Sequence, residues 1–228
     1  NAYHSTPVDE RSARAEAKVL IFPFGIVVNK LGHRFADEGG GADYNNYDRI
    51  CWAIQKQPDS IGYAILDAKI EDVPNYMRAV LSDLPPVRAD SLEELARKLD
   101  LPLAALQETV RSFNAACQPG RFTPSAADGV GTTGLVPPKT HWARTIEQPP
   151  FIAYPLIPSG IITFGGIRTN AQAEVLNADG DAIAGLYAAG AMTGIYYRRY
   201  PAATSVLRGA TFGRIAGAEA ARRIGATR

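Results

Sequence analysis

The chain has 228 residues, 46% hydrophobic and 21% charged, which is ordinary for a folded globular protein and long enough to bury about 70% of its unfolded surface. A net charge of +1 gives no electrostatic reason to expect nucleic acid or an anionic membrane as partner, and no apolar run approaches the roughly 18 residues of a membrane span. Cys51 and Cys117 stand far apart without a CxxC pair and His4, His33 and His141 are scattered, so no metal site is expected, and two inert thiols suit a reducing, cytoplasmic compartment.

Residues 1–20 are mostly polar and charged, lack the apolar stretch of a signal peptide, and read as a linking or surface segment. After the apolar Val19-Leu20-Ile21-Phe22-Pro23-Phe24, residues Gly25 to Asn29 read as a strand and Lys30 to His33 as its turn, leaving His33 exposed. Gly39-Gly40-Gly41 is a loop rather than a dinucleotide fingerprint, because no strand leads into it with GxGxxG spacing. A helix is expected within Asp43–Gln57, ended by Pro58, and a buried strand over Gly62–Asp67. Ser91, with Glu94 three residues on, is a capping box, and Leu92, Leu95 and Leu99 continue that helix. Pro102 suits the first turn of the next, whose apolar face is Leu103, Leu106, Val110 and Phe113. Residues 118–150 are rich in Pro, Gly and Thr and read as an irregular connection, in which Lys139 is either solvated or holds an acidic group.

From Ile161 the pattern becomes short strands: Ile161–Thr169, Glu174–Leu176, a turn at Asn177–Gly180, and Ala184–Ala189. A polar, aromatic and basic loop follows from Met192 to Thr204, and a helix opens near Ser205. Gly209, Gly213 and Gly217 recur on one face of that helix, so a second backbone is expected to approach it closely. Strand, loop and helix N-terminus together make a ready anion site.

The segment from Gly185 to Gly217, with Gly-Leu-Tyr-Ala-Ala-Gly and Phe212-Gly213-Arg214-Ile215-Ala216-Gly217, resembles the C-terminal end of the fumarate reductase/succinate dehydrogenase flavoprotein superfamily. Gly25 to Lys30, Arg34 to Gly39, Ala53 to Pro58, Pro138-Lys139, Trp142-Ala143 and Thr163 to Gly166 make it resemble the FAD-dependent tricarballylate dehydrogenase branch. The resemblance covers roughly residues 20–225. It implies an α+β chain: a linking segment over residues 1–20, a capping, substrate-binding domain over 21–150, and the C-terminal strand–helix part of a Rossmann-like FAD-binding domain over 151–228. The phosphate-binding GxGxxG would belong to an N-terminal half, in the same gene or a separate chain.

The resemblance also implies the site. The backbones of Ser205, Val206 and Leu207 would face the flavin, and Ala189, Gly190 and Ala191 would approach its ribityl chain. Ala191 stands where relatives carry Glu, a loss of one hydrogen bond worth about 0.5–1.5 kcal/mol, and Ala202-Ala203 replaces a Gly pair. An Arg in the loop, Arg199 or else Arg198, would clamp a small-molecule carboxylate beside Tyr200. Tyr47 stands at the place of the superfamily's acid/base Arg, with Arg49 two residues on; Tyr needs the smaller pKa shift to move a proton. Ile161 replaces a substrate-binding His, leaving Thr163 as a hydrogen-bond donor. The implied activity is flavin-dependent α,β-dehydrogenation, or its reverse, of a carboxylate such as tricarballylate. A 3-ketosteroid-type dehydrogenation, or a non-catalytic or split-enzyme module needing a partner for FAD binding, are the alternatives.

Overall fold

The computed structural model describes residues 3–40, 46–194, 196, 200 and 204–226. It is a mixed α/β chain, as the α+β reading expects, in two compact units: Ser5–Ser159, and Gly160–Arg228 together with Asn1–His4.

The larger unit is built on an antiparallel sheet of β1 (Tyr3–Asp9), β2 (Ile26–Asn29), β3 (Gly62–Leu66), β4 (Val87–Ala89) and β5 (Phe151–Thr163). The order is β1-β5-β3-β2, with β4 also on β5. Register is fixed by pairs such as Ile26 with Ile65, Ala64 with Tyr154 and Val87 with Ala153. Successive side chains of a strand point to opposite faces, and here both faces are covered. Ile26, Val28, Tyr63, Ile65 and Ala153 pack on one side with Leu95 and Leu99 of α2 (Leu92–Leu99) and Leu106, Val110 and Phe113 of α3 (Leu103–Ala116). Val27, Ala64, Leu66, Ile152 and Tyr154 pack on the other with Phe22 and with Ile50 and Ile54 of α1 (Asn46–Ile54). Burial on both faces is why these strands read as unbroken apolar runs rather than alternating ones. The cap of α2 forms as the sequence predicts, Ser91 Oγ accepting from the Glu94 amide at 3.1 Å.

Two stretches differ from their sequence reading. Residues 3–9, expected at the surface, form β1, with His4, Ser5, Thr6 and Asp9 at 1–2% exposure. Polar burial is possible because partners are present: Ser5 donates from its amide (2.7 Å) and hydroxyl (3.0 Å) to Asp48, and Asp9 accepts from Arg11 and Ser82. Secondly, β5 begins at Phe151, ten residues before the expected strand, despite Pro155 and Pro158 within it.

In the smaller unit β6 (Glu174–Leu176) pairs antiparallel with β7 (Ala182–Tyr187). A 3-10 turn at Gly190–Met192 follows, then α4 (Thr204–Ala226). Among the described residues no helix is long and apolar enough to cross a membrane, and no cluster of His, Cys, Asp or Glu suits a metal.

Candidate functional site

In the smaller unit β7 delivers the chain to a turn. Gly190 lies at φ +85°, a conformation that favours glycine, and nothing stands within 4 Å of where its Cβ would be. The turn is locked by Thr193, whose amide (3.2 Å) and hydroxyl (2.9 Å) both donate to the Gly190 carbonyl. Gly209 of α4 backs onto this turn: its Cβ would lie 3.9 Å from the Gly190 Cα. Of the glycine stripe only this position meets another backbone among the described residues; Gly213 and Gly217 face open space.

The start of α4 is sealed on one side by aromatic rings. Tyr196 packs edge-on against Phe164 and Tyr200, and Tyr200 lies 4.7 Å from the His4 ring. The Tyr200 hydroxyl bonds the Ser205 hydroxyl at 2.6 Å and accepts from the Ser205 amide at 3.1 Å, and Tyr196 bonds Thr204 at 2.8 Å. Of the three backbones expected to face a flavin, Ser205 is therefore already engaged. The residues Val206 and Leu207 are 78% and 66% exposed. Tyr200, expected as a substrate contact, is buried with its hydroxyl spent on the helix start. Thr163 is exposed and lines a groove of about 330 Å³ with Tyr3, Gly160, Ile161 and Ile162. Arg198, Arg199 and the Ala202-Ala203 pair lie outside the described residues.

One residue of this neighbourhood carries no expectation from the sequence. Arg208, 5% exposed, donates from Nη1 to the Thr193 carbonyl at 2.9 Å and lies 4.3 Å over the Tyr196 ring. Its Nε and Nη2 are buried with no hydrogen-bond partner. A buried donor left unpaired costs about 1–3 kcal/mol, and more when charged. The sequence does hold a signal: the opening of α4 has no acidic residue in its first turn, yet carries an Arg near the end where a cation is least favoured.

In the larger unit Tyr47 and Arg49 lie on α1. Tyr47 is half-buried against the second core, while exposed Arg49 donates to the Gly40 carbonyl at 3.0 Å. The Arg34-to-Glu38 motif forms a buried ion knot. Arg34 grips Glu38 with Nε and Nη2 at 2.8–3.1 Å and also reaches the carbonyls of Pro137 and Pro138. Glu38 further accepts from the Val27 amide at 2.8 Å. Lys139 is fully buried rather than solvated, donating to the carbonyls of Pro23 (2.6 Å) and Gly25 (2.8 Å), with Glu38 at 3.8 Å. Burial pulls its pKa down to about 8 against the opposing attraction of Glu38. Burial pushes Cys51 up to about 12 and Cys117 up to about 11, as suits inert thiols. A cleft of about 460 Å³ between Lys69, Cys117, Phe122 and Arg144 holds none of the expected site residues, and its cations are paired with Asp67 and Asp72.

Residues 6–207 match the family described as FAD binding domain. The chain belongs to that family. Among relatives of this FAD binding domain protein, the NADH:acrylate oxidoreductase of Vibrio harveyi is 29% identical over 93% of the chain and 20% of its own length. A probable fumarate reductase, Ifc3, of Shewanella frigidimarina is 28% identical over 86% of the chain and 31% of its own length. The open conformation of a flavocytochrome c3 fumarate reductase superposes with a TM-score of 0.67 at 26% identity, covering 96% of this chain and 36% of that one. This member of the family thus spans between 20% and 36% of the length of these proteins.

FAD is the cofactor of the family. The described residues of the chain fit it at two places: the open Gly190 turn, which leaves room for close approach, and the exposed leading turn of α4 at Val206 and Leu207. Ala191 offers a methyl in place of an acceptor.

Proposed function

We propose that this chain is the substrate-capping part and the C-terminal cofactor-contacting part of a flavin-dependent oxidoreductase acting on a CH–CH bond next to a carboxylate or carbonyl. Residues 21–150 form the cap and 151–228 the returning half of the FAD domain, with residues 1–20 linking to it. The observation that carries the reading is the family match over residues 6–207, ending at the exposed first turn of α4. Hydride transfer to or from the substrate carbon is the chemistry FAD supplies when bound.

This chain's own residues do the rest. The backbone at Val206 and Leu207 offers a helix N-terminus to an electron-rich edge of the cofactor. Arg199, with Arg198, binds a substrate carboxylate, and Thr163 donates a hydrogen bond. Tyr47 moves the second proton in preference to Arg49, whose guanidinium is already engaged by Gly40. We infer a tricarballylate-like substrate from the resemblance to that branch; a 3-ketosteroid is the runner-up. The free thiols Cys51 and Cys117 favour a reducing, cytoplasmic setting.

A second reading is favoured by the exposure of β7, where Ile183 is 41% and Leu186 47% exposed. An N-terminal half bearing GxGxxG would cover that face, making this chain one part of a split enzyme or a module that needs a partner. Visible absorbance of the purified chain, alone and with such a half added, tests both. Flavin retained by the chain alone supports the first form, and flavin gained only with the added half supports the second. A protein colourless in both cases sinks the proposal.

A further inference from the structure

We infer that the Nε–Nη2 edge of Arg208 seats a carboxylate of the substrate, making Arg208 a second binding and specificity-determining residue alongside the loop arginines; this rests on the carboxylate-oxidoreductase reading above. Three observations define the seat. Arg208 is only 5% exposed, and its Nε and Nη2 are buried, so its charge is little dispersed by water. Its flat face is covered by the Tyr196 ring at 4.3 Å and its Nη1 tip is tied to the Thr193 carbonyl at 2.9 Å. What remains is one in-plane edge, Nε and Nη2, and those are the two nitrogens without a partner. Two parallel N–H groups on one edge match the two oxygens of a carboxylate.

The rest of the neighbourhood supplies no competing anion. Among the described residues, the groups bonded around the start of α4 are Thr193, Tyr196, Tyr200, Thr204 and Ser205, all uncharged acceptors or donors. The first turn of the helix contains no Asp or Glu. The helix N-terminus adds its own preference for negative charge. A ring and a carbonyl hold the fork before any ligand arrives, so little side-chain freedom is lost on binding.

Calorimetric titration of the flavin-loaded chain with tricarballylate tests this, with trimethyl tricarballylate as the uncharged control. Arg208→Gln is expected to weaken the triacid by about 10- to 100-fold while leaving the ester unchanged. Arg208→Lys retains a cation and a donor for Thr193, guards against misfolding, and is expected to lose most of the same affinity because it has no fork. Unchanged triacid affinity in either folded variant overturns the inference, as does equal binding of acid and ester by the wild type. A shift of flavin reduction potential in Arg208→Gln with carboxylate affinity intact would assign the edge to the cofactor and equally overturn it. If the wild type takes up no flavin, the functional reading fails, and the same titration on the flavin-free chain still decides Arg208.

Discussion

β3 and β7 are short apolar strands of similar length, each containing a glycine, and their surroundings could hardly differ more. Every residue of Gly62–Leu66 is buried, whereas Ala182 to Leu186 are all exposed. A Cβ on Gly62 would press on Ile54, Val27 and Phe35, while Gly213 and Gly217 of the helix following β7 meet nothing within 4 Å. Intrinsic strand tendency is alike in the two; what differs is whether other elements supply the second surface. The contrast extends to buried charge. In the larger unit Arg34, Glu38 and Lys139 satisfy one another, and in the smaller unit Arg208 keeps two nitrogens unpaired.

Breaking the ion knot should give the largest effect. Glu38→Gln leaves Arg34 and Lys139 buried without their counter-ion, and a loss of about 3–5 kcal/mol in urea-unfolding stability is expected. Arg208→Met removes one hydrogen bond and one ring contact but strips no partner of its charge, so its cost should stay below about 1.5 kcal/mol. Equal losses in the two variants would erase the distinction drawn between paired and unpaired burial.

The strands can be compared in the same way. Ile65→Ala empties a fully buried site and is expected to cost about 2–5 kcal/mol. Leu186→Ala, at a half-exposed position, should stay within about 0.5 kcal/mol of the wild type. A large loss at Leu186 in the isolated chain would mean that β7 is already covered in solution, for instance by a second copy, and its dependence on protein concentration would reveal that.

Elements whose stability is local were legible in the sequence. Ser91 with Glu94 announced α2, and the Leu103, Leu106, Val110 and Phe113 spacing announced α3, because capping and amphipathic periodicity are written in neighbouring residues. β1 was not, since Ser5 and Thr6 look like surface residues until Asp48, 43 positions away, accepts from Ser5. The start of β5 was hidden by Pro155 and Pro158, which ordinarily argue against an interior strand. At the site, the turn at Gly190 and the start of α4 could be placed from sequence. The engagement of Ser205 by Tyr200 and the orphaned edge of Arg208 could not, because both depend on where the Tyr200 hydroxyl and the Thr193 carbonyl lie against the helix. Lys139 shows the same limit: nothing in Pro138-Lys139 tells that three oxygen-bearing groups close around its ammonium.

The pH dependence of stability is the measurement most diagnostic of that burial. Lys139 titrates near 8 in the folded chain and near its ordinary 10.5 when unfolded. Below pH 8 both states hold the proton and the burial penalty is constant. Between 8 and 10.5 the unfolded chain binds more protons, so this residue's contribution to stability rises with pH; above 10.5 it levels off. Tyr63 and Tyr154, whose pKa values burial raises, pull stability the other way at high pH. They do so in a Lys139→Met variant as well, so the difference between wild type and variant reports the lysine together with its coupling to the Cys117 thiol. Urea midpoints measured at pH 7 and pH 10 should shift that difference in favour of the wild type. A difference that stays constant, or moves toward the variant, would mean that the ammonium is as comfortable inside its ring of carbonyls and Glu38 as it is in water.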